Sequence, residues 1–290
     1  MHLTEAQISS FHEEGYLRLE NVLDTSDLQP VIDEYSDIID ERAQQLYAEG
    51  KVSSLHEDES FTRRLLLLAK EVPEVATNLD IMQARGEATF NFLKNPKILD
   101  VAESLCGSEI VCNPIQHIRA VLPHRATGGH PTHFHQDVGV CWPDTDKYFM
   151  LTVWVPIVDA TLENGCLSVL PGSHKHGLRQ HAYTPALDIP PEERPPIQSK
   201  PLPVPAGGLI LFHNYTLHHA LPNESDEVRW SFDLRYHDAY QPSGRPFYPT
   251  FLMRSKFRPD ALQTDYETWC QRWKFALMAG KDAVRYRWKR

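Results

Sequence analysis

Cysteine is scarce in this chain, basic charge is in deficit, and no long apolar run occurs. The five cysteines, Cys106, Cys112, Cys141, Cys166 and Cys270, are odd in number and form no C-x-x-C pair. That pattern argues against structural zinc and against a disulfide framework, and it points to a reducing cytoplasm. Lys and Arg total 29 against 39 Asp and Glu, a net charge of −10. Such a chain lacks the cation excess with which nucleic-acid binders neutralise phosphates. The last ten residues, 281–290, are locally basic, which reads as a solvated helix end. The densest apolar run, residues 65–69, falls far short of the roughly 20 residues that a membrane span needs. Met1-His2-Leu3-Thr4-Glu5 has no basic stretch leading into an apolar one, so no secretory signal is expected.

What is present suits a globular protein of 290 residues, long enough to bury a sizeable core. Thr4-Glu5-Ala6-Gln7 has the form of a capping box, and Gly15 closes the short helix that it starts. An extended Tyr16-Leu17-Arg18-Leu19 follows. Leu28, Val31, Ile32, Tyr35, Ile38, Ile39 and Leu46 step at helical spacing through residues 26–50. Residues 61–68 and 98–105 also read as helix, the latter stopped by Gly107.

After Gly107 the pattern changes to short β-branched and aromatic runs separated by Pro and Gly. They cover 109–112, 115–122, 150–158, 166–170, 208–213 and 229–236. Strands at this spacing predict a sandwich or barrel, not a parallel α/β sheet. Residues 184–208 are rich in proline and read as a long extended loop, a stiff flap over a site mouth that the His-rich segment 124–133 would also frame. Residues 264–278 read as a final helix. The expected organisation is a single catalytic domain over 1–290: a mainly helical part (1–107), a β core (108–240) and a helical tail (241–290).

Chemistry concentrates in His133-Phe134-His135-Gln136-Asp137 and in a distant group of histidines. Residues i and i+2 of a strand point to one side, so His135 and Asp137 can ligate one metal from a strand end. His133 and His135 have the same spacing, but the carboxylate is the harder ligand for Fe(II). With His218 they make two histidines and one carboxylate, which occupy one face of an octahedral ion and leave three positions open, the arrangement of non-haem Fe(II) oxygenases. His219 and His213 compete with His218 for the distal place. Arg229, eleven residues past His218, is followed two residues on by Ser231, and a planar guanidinium with a hydroxyl beside it suits a carboxylate.

A longer stretch carries a resemblance. Trp154-Val155-Pro156, Asp159, Asn164-Gly165, Leu167 and Pro171-Gly172-Ser173-His174, together with the H-x-D, His218, Asn223 and Arg229, resemble the phytanoyl-CoA dioxygenase family from about Gln116 to Tyr236. Glu13-Glu14-Gly15-Tyr16-Leu17 is similar to that family as well. The resemblance implies a double-stranded β-helix (jelly roll, cupin-like), an enzyme, and Fe(II) with 2-oxoglutarate as cosubstrate, ascorbate serving to keep the iron reduced. It implies iron ligation by His135, Asp137 and His218, the last chosen because Asn223 stands five residues on. It implies that Arg229 and Ser231 hold the distal carboxylate of 2-oxoglutarate, with Trp154 and Gln116 lining the cosubstrate pocket. Where many relatives have Ser two residues after the distal histidine, this chain has Ala220. Halogenases of the family keep a small residue where Asp137 stands, so a carboxylate there points to hydroxylation of a small-molecule or lipid-like substrate with O2, giving succinate and CO2. Two rival readings are a non-catalytic jelly-roll binding module and a zinc hydrolase with the same ligands.

Overall fold

The computed structural model describes residues 1–124, 133–183, 187–280 and 287–288. Helix α1 (Glu5–Glu14) starts at the Thr4 capping box and stops at Gly15, whose φ of 75° a side chain would resist. Strand β1 (Tyr16–Leu19) follows. Helix α2 (Thr25–Ala48) begins one residue before the sequence pattern does, because Asp24 caps it. Helices α3 (Phe61–Glu71) and α5 (Pro96–Cys106) match their predicted positions, α5 running from an Asn95 cap to Gly107. Helix α4 (Glu87–Leu93) was not predicted. Its cap is tertiary: Glu34 of α2 accepts from the N–H groups of Ala88 and Thr89 at 2.7 and 3.1 Å, a contact that no local signal could announce.

The β core comprises β2 (Glu109–Cys112), β3 (His117–Val121), β4 (Leu151–Pro156), β5 (Leu167–Val169), β6 (Ala182–Tyr183), β7 (Leu187–Asp188), β8 (Lys200–Leu202), β9 (Leu209–His213), β10 (His218–Ala220), β11 (Arg229–Asp238) and β12 (Phe251–Ser255). Seven strands form one sheet in the order β1-β9-β4-β11-β2-β12, with β3 also paired to β11, and a smaller sheet runs β10-β5-β8. All the pairings in the two sheets are antiparallel, and the architecture is the expected jelly roll with flanking helices. Among the described residues no helix is long and apolar enough to cross a membrane.

Alternation along β11 organises the molecule. Trp230, Phe232, Leu234 and Tyr236 enter the core between the large sheet and the helices, where Trp230 stacks on Phe61 of α3 at 4.8 Å and Phe232 lies 4.7 Å from Phe92 of α4. The intervening Arg229, Ser231, Asp233 and Arg235 therefore face the other way, toward the interior of the roll. There a second core of Trp154, Ile210 and Phe212 from the large sheet meets Leu167, Val169 and Leu202 from the small one.

Two expectations change. Of residues 184–208, the described part, 187–208, is tied to the roll and does not stand off it as a stiff flap: β8 pairs with β5, and Ile189 packs with Leu170 and Leu217. Proline at 201 and 203 leaves β8 short and at a sheet edge, where missing N–H donors are tolerated. The predicted helical tail contains α6 (Tyr266–Ala279) but also supplies β12, which closes the large sheet against β2.

Candidate metal centre and cosubstrate pocket

His135 and His218 face each other across an isolated antiparallel bridge. Each backbone N–H donates to the other's carbonyl at 3.1 Å, and the rings stand 4.3 Å apart. Each ring is also turned by a backbone carbonyl two residues earlier: Nδ1 of His135 lies 3.1 Å from the oxygen of His133, and Nδ1 of His218 lies 3.0 Å from that of Thr216. An Nδ1–H so engaged leaves Nε2 as the free lone pair, the nitrogen a metal would take. Phe212 stacks flat on His218 at 4.7 Å.

Asp137 reaches the cluster differently from the prediction. The chain leaves strand pairing after His135, and Asp137 opens a 3-10 turn, Asp137–Val140. The carboxylate still arrives beside the rings, with Oδ1 3.9 Å from Nε2 of His135. One candidate ligand atom from each of His135, Asp137 and His218 lies within 4.8 Å of the others, and this is the group of three metal-binding side chains found among the described residues. The rivals sit apart. His219 packs on Phe134 at 4.0 Å, His213 on His174 at 5.2 Å, and His133 lies 3.8 Å from Asp188.

Electrostatics favours the ligand forms. Burial and the neighbouring His218 push His135 down to about 3, so its ring is neutral at ordinary pH. Burial alone would raise Asp137, but Arg235, His218 and His135 outweigh it and hold the carboxyl well below the usual range. A neutral His135 imidazole beside an ionised carboxylate, with the His218 ring facing them, fits a divalent iron ion.

Arg229 is buried, and Nη1 donates to Ser231 Oγ at 2.6 Å. Its Nε has no hydrogen-bond partner, and the guanidinium lies 5.2 Å from the Trp154 ring. Burial pulls it down to about 10, still protonated at neutral pH. A buried guanidinium with a free donor edge fits the distal carboxylate of 2-oxoglutarate.

The cavity has two lobes that share Arg119, Val121, His135, Ala220 and Arg235. One, of about 400 Å³, is lined by Arg229, Trp154, Thr152, Phe212 and His218, with Leu79 and Asp80 from the helical part. The other, of about 310 Å³, is largely apolar, with Ile115, Leu122, Val140, Leu187 and Leu221 beside His124 and His133. Of the proline-rich stretch, Leu187 reaches this wall; residues 125–132 of the His-rich segment lie outside the described residues.

Gln116 stands between Ile115 and His117 of the second lobe's wall but lines neither lobe itself. Its amide is spent on backbone, donating to Asn113 and Arg235 carbonyls at 2.7 Å each and accepting from the Arg235 N–H at 3.1 Å. It patches the gap on β11 where β3 ends its pairing at Asp233 and β2 begins at Tyr236.

Arg235 itself was missed from sequence. Its Nη2 donates to Asp137 Oδ1 at 2.6 Å, with both side chains almost fully buried. Thr152, whose hydroxyl donates to Asp137 Oδ2, was missed too. Continuing the alternation from Arg229 and Ser231 to Asp233 and Arg235 would have found the arginine.

The sequence profile of the phytanoyl-CoA dioxygenase (PhyH) family matches residues 11–231. "Phytanoyl-CoA dioxygenase domain-containing protein 1" of Danio rerio is 24% identical over 269 residues, covering 78% of this chain and 87% of that protein. "1-deoxypentalenic acid 11-beta-hydroxylase" of Streptomyces arenae is 27% identical over 256 residues, covering 83% of each. Among solved structures, the epimerase SnoN in complex with Fe3+, alpha ketoglutarate and nogalamycin RO superposes with a TM-score of 0.57 at 25% identity, covering 84% of this chain and 88% of that one. The non-heme monooxygenase ThoJ shares the fold at a TM-score of 0.64 and 18% identity, covering 94% and 95%. With the profile spanning the helical part and the site strands alike, the chain belongs to the phytanoyl-CoA dioxygenase family and is an iron- and 2-oxoglutarate-dependent oxygenase.

Proposed function

We propose that this enzyme hydroxylates a C–H bond of a small, largely apolar molecule, with His135, Asp137 and His218 holding Fe(II) and Arg229 with Ser231 holding 2-oxoglutarate. The observation that carries the reading is the juxtaposition of the three-residue cluster with a buried guanidinium that has a free donor edge: His135 and His218 share one lobe's wall with Arg229, and Asp137 lines the adjoining lobe. When bound, iron and 2-oxoglutarate supply the oxidising chemistry, in which O2 is consumed and succinate and CO2 are released. The chain's own residues orient and exclude. Arg229 and Trp154 define the cosubstrate end, and the second lobe presents apolar walls to the substrate beside His135. Chain segments 1–107, 108–240 and 241–290 act as a single catalytic unit, with helices and sheet sharing a core.

Paired carboxylates disfavour the zinc-hydrolase alternative, which needs a free general base. Asp137 is held by Arg235, Asp80 by His117 at 2.6 Å, and Asp233 by Arg119 at 3.2 Å. The five buried, unpaired cysteines support a cytoplasmic location. The test is anaerobic reconstitution with Fe(II), followed by O2, 2-oxoglutarate and ascorbate, and a screen of apolar small molecules for substrate-dependent succinate release. Absence of succinate with every substrate, and of any 2-oxoglutarate binding, would sink the proposal.

A further inference from the structure

His135 and His218 are aimed by the backbone bridge between them, but Asp137 has no such device. It lies past the end of strand pairing, on a 3-10 turn, and its carboxylate is free to rotate about two side-chain bonds. Something else must set its direction.

Arg235 of β11 and Thr152 of β4 are direct cross-strand partners. Both face the interior of the roll, and they take one carboxylate oxygen each: Arg235 Nη2 takes Oδ1 at 2.6 Å, and the Thr152 hydroxyl takes Oδ2. Arg235 is in turn immobilised. Its Nη1 donates to the Ile115 carbonyl at 3.2 Å, and Gln116 bonds both its backbone N–H and its carbonyl. The rigid centre of the large sheet therefore reaches across the cavity and orients a side chain carried by an irregular segment.

We propose that Arg235 and Thr152 act together as positioning residues for Asp137, fixing its carboxylate in the direction in which it meets a metal shared with His135 and His218. This rests on the metal reading above. A carboxylate accepts at about four lone-pair sites, so with one bond to each oxygen it retains a lone pair for a metal while its plane stays fixed. The opposite outcome is physically real. A guanidinium beside a cation site repels the cation, so if orientation were irrelevant, removing Arg235 would tighten metal binding.

The test is a titration of metal-free protein with Co(II), read by visible absorption and calorimetry, in wild type, His218→Ala, Arg235→Ala and Thr152→Val. One Co(II) bound by wild type and lost in His218→Ala establishes the site. Arg235→Ala should then bind 10–100-fold more weakly, as partners of metal ligands typically do, with an altered cobalt spectrum. Added guanidinium should restore much of the affinity, and sodium chloride at equal concentration should not. Thr152→Val preserves shape and has no charge to lose, so it reports on orientation if Arg235→Ala proves too unstable to titrate; it too should weaken Co(II) and alter the spectrum. Unchanged or tighter affinity in these variants, with the His218→Ala control intact, overturns the positioning role alone. If wild-type protein binds no Co(II), the metal reading falls and this inference with it.

Discussion

The backbones of His135 and His218 are bonded directly to each other, N–H to carbonyl in both directions at 3.1 Å. Two candidate ligands 83 positions apart in the chain thus share one backbone bridge, and their rings are turned by carbonyls two residues earlier in the chain. His218→Ala should therefore abolish stoichiometric iron binding, whereas His219→Ala, whose ring packs on Phe134, should retain it. Iron content after desalting measures both. Iron lost from the His219→Ala protein and kept by the His218→Ala protein would reverse the distal assignment.

Arg229 donates to Ser231 and keeps Nε unpartnered. Removing one partner of a buried, hydrogen-bonded charge pair costs roughly 2–5 kcal/mol. Arg229→Ala should weaken 2-oxoglutarate binding between about 30-fold and several thousand-fold with iron still bound, and Ser231→Ala roughly 10-fold. Calorimetric titration of the Fe(II) protein under argon decides this; an unchanged dissociation constant in Arg229→Ala refutes it.

The two faces of β11 should separate stability from binding. Phe232 is fully buried against Phe92, so Phe232→Ala should lower the unfolding free energy by about 3–5 kcal/mol. Its folded fraction should bind 2-oxoglutarate normally. Urea unfolding and a binding titration on the same variant test the split, which fails if affinity falls in step with stability.

Acid should destabilise the metal-free protein through buried neutral histidines. Burial lowers His181 and His213 from 6.5 to about 4. Below pH 6.5 the unfolded rings take protons that the folded rings refuse, so the unfolded state binds more protons. Stability is then full above about pH 6.5 and declines as pH falls toward 4, by up to about 2 kcal/mol per ring at pH 5. His181 also accepts the Gln136 N–H at 3.2 Å between His135 and Asp137, a bond that a protonated ring cannot keep. Chemical denaturation at pH 5 and pH 7 checks the slope, and His181→Asn, which has no proton to gain, should flatten it.

Leu122 lines the second lobe and not the first. Leu122→Trp should impair substrate-coupled succinate formation while leaving the 2-oxoglutarate dissociation constant within about twofold of wild type. Equal losses in both would merge the lobes into one functional space.

Much of the site was legible because its signals are local. The H-x-D pair, His218 with Asn223, and Arg229-x-Ser231 each lie within a few residues. Asn223 proves to be a loop staple, donating to the carbonyls of Val121 and Glu227 at 2.8 Å each. The contacts of Gln116, Thr152 and Arg235 were not legible because their partners are remote. Gln116 sits 119 positions from Arg235, and Arg235 98 from Asp137. Helix α4 and strand β12 escaped for the same reason, one capped by Glu34 and the other completed only by pairing with β2.

By itself, then, the sequence determined what period and local chemistry encode: helices with their own caps, strands with alternating faces, and a candidate metal-ligand set of recognisable spacing. Only the tertiary structure decided what holds that set in place. The direction of the Asp137 carboxylate depends on Arg235 and Thr152, two strands brought into register by the sheet. Cross-strand register is a property of long-range pairing, set by which faces must be buried together, and no window along the chain contains it.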